Sequence, residues 1–134
     1  MKYILGTDIC IFAIKQHKEV LRRLLQESPD DVAISAMTQA ELRFGAMKSN
    51  QAEKAMAQVD AFLEPLTVLP FDSEAAGKHA EFRYALRSHP IGERDLVIAA
   101  VAGANHLTLV THNAREFARI VALNLEDWTG TGES

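Results

Sequence analysis

Residues 91–111 read Ile-Gly-Glu-Arg-Asp-Leu-Val-Ile-Ala-Ala-Val-Ala-Gly-Ala-Asn-His-Leu-Thr-Leu-Val-Thr, and this stretch decides the fold. Gly92 opens a very apolar helix, Leu96 to Ala104, whose alanine-rich surface suits close packing against a sheet. Leu107 to Thr111 follows as a short apolar strand bounded by polar residues. The same alternation extends outward in both directions. Upstream, Tyr3 to Leu5 forms a strand ending in the turn Gly6-Thr7-Asp8, and Ile11, Ile14, Val20, Leu21, Leu24 and Leu25 then recur at helical spacing. Asp30-Asp31 starts a second strand, Val32 to Ile34, closed by Ser35. Helices are expected from Met37 through Leu42 to Met47 and from Ala52 to Leu63, forming a hairpin. Thr67 to Leu69 is a third strand. A helix over Ser73 to Arg87 follows, with Ala76, His79, Ala80, Phe82 and Leu86 as its expected inner face. Downstream lie a short helix over Ala114 to Phe117 and a final apolar segment, Ile120 to Leu125. The four prolines fall singly between these segments, and no repeat or linker interrupts them.

Strands alternating with helices predict an α/β fold in one domain over residues 1–134, a central parallel sheet of four to five strands flanked by helices on both faces. A chain of 134 residues buries roughly two thirds of the surface exposed by its unfolded form, enough for a core without staples. Cys10 is the single cysteine, so no disulfide forms within the chain. The apolar start Met1 to Leu5 is cut short by Gly6, Thr7 and Asp8 before any cleavage-site pattern, and no stretch approaches the roughly 20 apolar residues of a membrane span. The expected location is the cytoplasm. A net charge of −4 leaves nucleic acid as a partner only through a local basic patch or a metal.

In open parallel sheets the working crevice lies beyond the carboxyl ends of the strands. Four acidic or oxygen-bearing positions fall there: the Gly6-Thr7-Asp8 turn, Glu41 in the helix after strand two, Asp95 at the start of the apolar helix, and the stretch Thr111-His112-Asn113-Ala114-Arg115-Glu116. Carboxylates converging from separate strand ends suit hard cations such as Mg²⁺ or Mn²⁺, which take oxygen ligands and keep waters for substrate phosphates. The chemistry this implies is metal-assisted phosphodiester hydrolysis. The five histidines (His17, His79, His89, His106, His112) offer no pair at H-x-x-x-H spacing and no cysteine partners, which argues against zinc.

The motifs in order are Ile4-Leu5-Gly6-Thr7-Asp8-Ile9, Ile34-Ser35 to Glu41-Leu42-Arg43-Phe44-Gly45, Ile91-Gly92-Glu93-Arg94-Asp95-Leu96-Val97-Ile98-Ala99, Val110-Thr111-His112-Asn113-Ala114-Arg115-Glu116-Phe117 and Leu125-Glu126-Asp127-Trp128. Across residues 2 to 128 the chain resembles the PIN-domain ribonucleases, specifically VapC-type toxins of toxin–antitoxin pairs, with their L-D-T-N-I, I-S…E-L-x-x-G, I-G-x-x-D-x-x-I-A, V-T-x-N-x-x-D/E-F and L-E-x-W. The resemblance implies a PIN-like fold and a Mg²⁺- or Mn²⁺-dependent endoribonuclease that inhibits translation by cutting RNA, with tRNA the favoured substrate. Glu41, Asp95 and Glu116 would be the catalytic, metal-holding acids, and Thr7, Thr111 and Asn113 would orient them. It also implies a VapB-type antitoxin, whose C-terminal segment lies in a groove formed partly by the helical hairpin and places an Arg or similar group into the acidic site. A homodimer and a higher assembly with the antitoxin follow from the same likeness.

One departure cuts across this pattern. Gly6 stands where the family carries its first metal-binding Asp, and Asp8 stands where Asn is usual. Either a local shift lets Asp8 substitute, or the chain is an inactivated variant whose fold survives. In the second case it is a binding module that keeps its antitoxin and RNA. A receiver-like signalling domain, the remaining class for a doubly wound pattern, needs a Lys after the strand ending at Val110, and none is there.

Each acid also has a plainer reading. Glu41 lies three residues after Thr38, the spacing of a capping box. Glu93 and Asp95 suit the first turn of a helix, and Glu116 suits a surface pair with Arg115 or Arg119. Asn113 suits a helix cap, His112 a solvent-facing strand end, and Cys10 a small core hydrophobe. For RNA, Arg83 and Arg87 form an i, i+4 pair, with Arg43, Arg94 and Arg115 near the acidic crevice.

Overall fold

The computed structural model describes residues 1–130; the expected domain runs on to residue 134, and residues 131–134 lie outside the described residues. Five strands, β1 (Tyr3–Leu5), β2 (Val32–Ser35), β3 (Thr67–Leu69), β4 (Thr108–Val110) and β5 (Leu125–Glu126), form one sheet in the order β3-β2-β1-β4-β5. All four pairings are parallel, in a register that aligns Ile4 with Ala33 and Leu109. Between them run α1 (Thr7–Ile14), α2 (Lys18–Leu25), α3 (Ala36–Met47), α4 (Ala52–Leu63), α5 (Ser73–Ala85), α6 (Glu93–Ala104) and α7 (Ala114–Phe117). None of these helices is long and apolar enough to cross a membrane.

Because side chains alternate along a strand, the register divides the interior into two cores. Ile4, Ala33 and Leu109 face one way and pack with Phe82 and Leu86 at the α5 end and with Ile98, Ala99, Val101 and Ala102 of α6. Leu5, Ile34 and Val110 face the other way, against Ile9, Cys10, Val20, Leu42, Ala46, Val59 and Leu63 of α1 to α4. Helices therefore cover both faces, as the strand–helix alternation predicts. Fully burying each valine, leucine, isoleucine or phenylalanine among them contributes roughly 1.5–3 kcal/mol.

Several expectations need correction. The helix over residues 73–87 ends at Ala85, and its inward residues are Ala75 and Phe82, whereas Ala76 and Ala80 are exposed and His79 only half-buried. A Cβ on Gly103 of α6 would lie 2.9 Å from the Phe82 ring, so the glycine makes the room that sets the phase of α5. Ile11 and Leu25 are exposed. Asp30 and Asp31 belong to a 3-10 turn capped by Ser28, ahead of the strand. Within residues 120–125 only Leu125 enters the sheet, while Ile120 packs beneath it.

Candidate active site

The chain leaves β1 to build β2 and β3 on one side and returns to add β4 and β5 on the other. The sheet therefore reverses direction between β1 and β4, where an open α/β sheet places its ligand crevice. Gly6 and Thr111 follow those two strands directly, and the Gly6 N–H donates to the Val110 carbonyl at 2.8 Å. Asp8 bridges the gap. Its Oδ1 accepts from the Ile9 N–H at 2.8 Å, and its Oδ2 accepts from the His112 N–H at 2.9 Å and the Thr111 hydroxyl at 3.3 Å. Thr111 is in turn held by the Asn113 N–H at 3.0 Å. Asn113 precedes α7 but makes no side-chain cap there.

Position 6 contributes no side chain, and Asp8 fills the space one would take. A Cβ built on Gly6 meets Asp8 Oδ1 at 3.0 Å, the Val110 carbonyl at 3.2 Å and the Thr111 Cβ at 3.7 Å. A carboxylate thus stands over the strand end, tied down by three protein donors.

Glu41 is held from below by a chain of hydroxyls. The capping-box reading fails: Ser35 caps α3 by accepting the Thr38 N–H at 3.0 Å, which places Thr38 inside the helix and fully buried. The Thr7 hydroxyl gives its one proton to Glu41 Oε1 at 2.5 Å, so it must accept from Thr38 at 3.0 Å, and Thr38 must accept from the Ser35 hydroxyl at 3.3 Å. Aligned donors polarise one another along Ser35, Thr38 and Thr7 toward the Glu41 side chain. Glu41 Oε2 faces the Arg94 Nε at 3.7 Å across a largely exposed side chain.

Asp95, half-buried in the first turn of α6, is the best reporter of the crevice. Burial raises its pKa above the ordinary carboxylate value, and Glu41, Asp8 and Glu116 push it further while Arg94 opposes them. Four acids from separate elements therefore share one field. Glu116 also keeps its plainer role, since Arg119 reaches its carboxylate at 3.3 Å.

Carboxylate oxygens suit a hard divalent cation in kind, and their mutual repulsion is what such an ion relieves. Among the described residues, however, no group of three or more His, Cys, Asp or Glu side chains forms a ready cage. The donor set fits a cation that takes one or two protein carboxylates and keeps its waters, as Mg²⁺ does.

Sequence reasoning missed a second arrangement at the same edge. The His112 Nδ1 lies 3.1 Å from Asp127 Oδ2 and 3.2 Å from the Thr129 hydroxyl, and its ring stands edge-on to Phe12. Burial raises the Asp127 pKa, but the Thr129 N–H, the Thr129 hydroxyl and His112 outweigh it and hold the carboxyl below its ordinary range. Only the closing Glu126-Asp127-Trp128 motif carried a hint of this. Cys10 is fully buried, which pushes its thiol pKa far up, with Asp8 adding to the effect; it packs as a hydrophobe.

The arginines separate into two groups. Arg43 is engaged by Asp60 at 3.0 Å and Arg94 by Glu41, whereas Arg83, Arg87 and Arg115 are exposed and have no carboxylate partner among the described residues. An apolar groove of about 530 Å³ runs between α1, α3 and α4, lined by Ile11, Ile14, Leu42 and Val59 and reaching Glu41.

Residues 3–123 match the PIN domain model, and with that crevice geometry the chain belongs to the PIN-domain family. Within the family it is most usefully set beside VapC proteins. It is 38% identical over 130 residues to the tRNA(fMet)-specific endonuclease VapC of Salmonella typhimurium, covering 96% of this chain and 98% of that one. It is 37% identical to Ribonuclease VapC2 of Rickettsia felis, covering 96% and 98%. Among solved structures, VapBC2 from Rickettsia felis bound to a promoter DNA fragment superposes with a TM-score of 0.89 at 38% identity, covering 96% of this chain and 99% of that one. DNA-bound VapBC from Salmonella typhimurium gives 0.90 at 37%, covering 96% and 98%.

Proposed function

We propose that this chain is a VapC-type endoribonuclease toxin of a toxin–antitoxin pair, acting in the cytoplasm on RNA with tRNA as its substrate, and that Gly6 leaves its cutting machinery impaired. The observation that carries the reading is Asp95, half-buried where the sheet reverses, with its pKa raised by burial and then by the charges of Glu41, Asp8 and Glu116. Relatives named as a tRNA(fMet)-specific endonuclease and as ribonucleases support the reaction and the substrate class.

Asp95, Glu41 and Glu116 would hold Mg²⁺ or Mn²⁺. When bound, such an ion supplies an activated water and neutralises charge on the scissile phosphate. Glu41 is aimed by the Thr7 hydroxyl, so its orientation is set before substrate arrives. Asp8 stands above Gly6 and adds negative charge to the field. Its oxygens already take three protein donors, which leaves it a poor replacement for a free ligand. Loss of a metal-holding carboxylate lowers turnover by orders of magnitude.

The partner we propose is a VapB-type antitoxin whose C-terminal segment occupies the apolar groove of α1, α3 and α4 and brings a cation to Glu41; VapBC complexes among the neighbours support it. A homodimer, and a larger assembly with the antitoxin, complete this reading. The second reading is a binding module that retains antitoxin and RNA without cutting, favoured by Gly6 and by the lack of a ready cage among the described residues.

A total tRNA pool incubated with Mg²⁺ or Mn²⁺ tests the choice, using the chain, its Gly6→Asp form and a Gly6→Asp, Glu41→Gln form. Metal-dependent cleavage by Gly6→Asp alone supports an impaired nuclease. Silence from all three moves the assignment to the binding module.

A further inference from the structure

Beyond the acidic crevice, the other side of the first turn of α6 carries a cavity of about 350 Å³ lined by Arg83, Leu86, Arg87, Pro90, Ile91, Glu93 and Leu96. Residues two apart on a helix do not face the same way. Glu93 therefore looks into this cavity, while Asp95, two residues on, looks into the crevice. Both residues lie in the first turn of α6, so the two sites flank one helix N-terminus.

The cavity has the chemistry of a nucleotide subsite. Arg83 and Arg87 are an i, i+4 pair in a chain of net charge −4, yet no carboxylate engages either of them among the described residues. Arg87 is also preorganised. Its Nη1 donates to the Tyr84 carbonyl at 2.8 Å, and its guanidinium sits over the exposed Tyr84 ring at 3.9 Å from the centroid. Arg87 lines the cavity, and its guanidinium, steadied by Tyr84, is a plane on which a base can stack, the usual way unpaired RNA bases are held. Leu86, Ile91 and Leu96 supply a buried apolar floor, and Glu93 an acceptor for base N–H donors.

We propose that this cavity binds one unpaired nucleotide of the RNA next to the scissile phosphate, with Arg83 and Arg87 on the backbone, the base stacked on the Arg87 guanidinium that Tyr84 steadies, and Glu93 reading its edge. The proposal rests on the ribonuclease reading for the identity of the polymer, but its test does not need cleavage. An impaired nuclease permits equilibrium binding in the presence of metal.

The probe is a short fluorescein-labelled single-stranded RNA of mixed sequence, its anisotropy followed with the present Gly6 chain over a range of salt. Arg83→Ala with Arg87→Ala is expected to weaken binding and to flatten the slope of log affinity against log salt by about 1.4, roughly 0.7 per lost phosphate contact. Tyr84→Ala is expected to weaken binding by freeing the Arg87 plane on which the base stacks, with the salt slope unchanged. Arg87→Lys should keep the salt slope and still bind more weakly, because charge is retained and the plane is not. Arg22→Ala, an exposed arginine elsewhere that pairs with Glu19, should change nothing. The substituted side chains are exposed, so equal thermal midpoints certify folding.

Absence of RNA binding by the parent, an unchanged slope in the double variant, or an equal loss in Arg22→Ala overturns the subsite. If binding responds as expected while Gly6→Asp cuts nothing, the nuclease reading falls and the nucleotide subsite stands. If Gly6→Asp cuts and the double variant on that background cuts with unchanged KM, the subsite falls and the nuclease reading stands.

Discussion

Replacing Gly6 with Asp returns a carboxylate to the end of β1, and the structure allows its energetic effect to be worked out in advance. The backbone at Gly6 is extended, with φ −68° and ψ 162°, so a side chain brings no torsional strain. Its Cβ meets Asp8 Oδ1 at 3.0 Å and the Val110 carbonyl at 3.2 Å, so the Asp8 carboxylate must give by a few tenths of an ångström. Removing a glycine from the unfolded chain stabilises by about 0.4–1 kcal/mol. Against this, one further charge within about 5 Å of an existing carboxylate near a surface costs on the order of 2 kcal/mol after screening. The net is a loss of about 1 kcal/mol in chelator, a midpoint lower by roughly 3–5 °C for a domain of this size. A bound cation reverses the sign, because a ligand at a hundred times its Kd adds about 2.7 kcal/mol. Thermal unfolding of both chains in chelator and in excess Mg²⁺ measures this. A Gly6→Asp chain that is no less stable in chelator and gains no more from Mg²⁺ than the parent refutes the reasoning.

Two further outcomes follow from the same geometry. Asp95 has a folded pKa raised above its ordinary 3.8, chiefly by burial, so its ionised form opposes folding, a penalty absent below pH 3.8 and complete once pH rises past the folded value. Asp95→Asn should therefore stabilise the metal-free chain at pH 7 and lose that advantage below about pH 4, as denaturant midpoints across pH would record. Thr38→Val removes the buried hydroxyl that links Ser35 to Thr7, and should cost about 1–3 kcal/mol by denaturant titration while lowering the activity of a Gly6→Asp chain through a looser Glu41.

The sheet and the order of its helices were legible because each strand is a short apolar run and each helix carries its own periodicity. The phase of α5 was not. Phe82 fits against Gly103, a complementarity shared between two segments that neither displays alone. The acids were legible as positions beyond strand ends, since topology brings those ends together wherever the sheet reverses. How Glu41 is held was hidden, because Thr38 reads as a cap at its spacing, whereas the true cap is Ser35 and the threonine belongs to a hydroxyl chain running through Thr7. The pairing of His112 with Asp127 joins β4 to the segment after β5, and nothing local to either residue announces it. The arginines looked equivalent in sequence, and only their neighbours separate Arg43 and Arg94, which are engaged, from Arg83 and Arg87.

We have proposed that the acids at the sheet reversal hold a divalent cation at a site lacking one ligand. Titrating Mn²⁺ into the chain, its Gly6→Asp form and its Asp95→Asn form, with free ion read by electron paramagnetic resonance, tests it most directly. The expected result is weak binding by the chain, binding at least about tenfold tighter in Gly6→Asp, and loss of binding in Asp95→Asn. Equal affinity in the chain and its Gly6→Asp form, or binding untouched by Asp95→Asn, would contradict it.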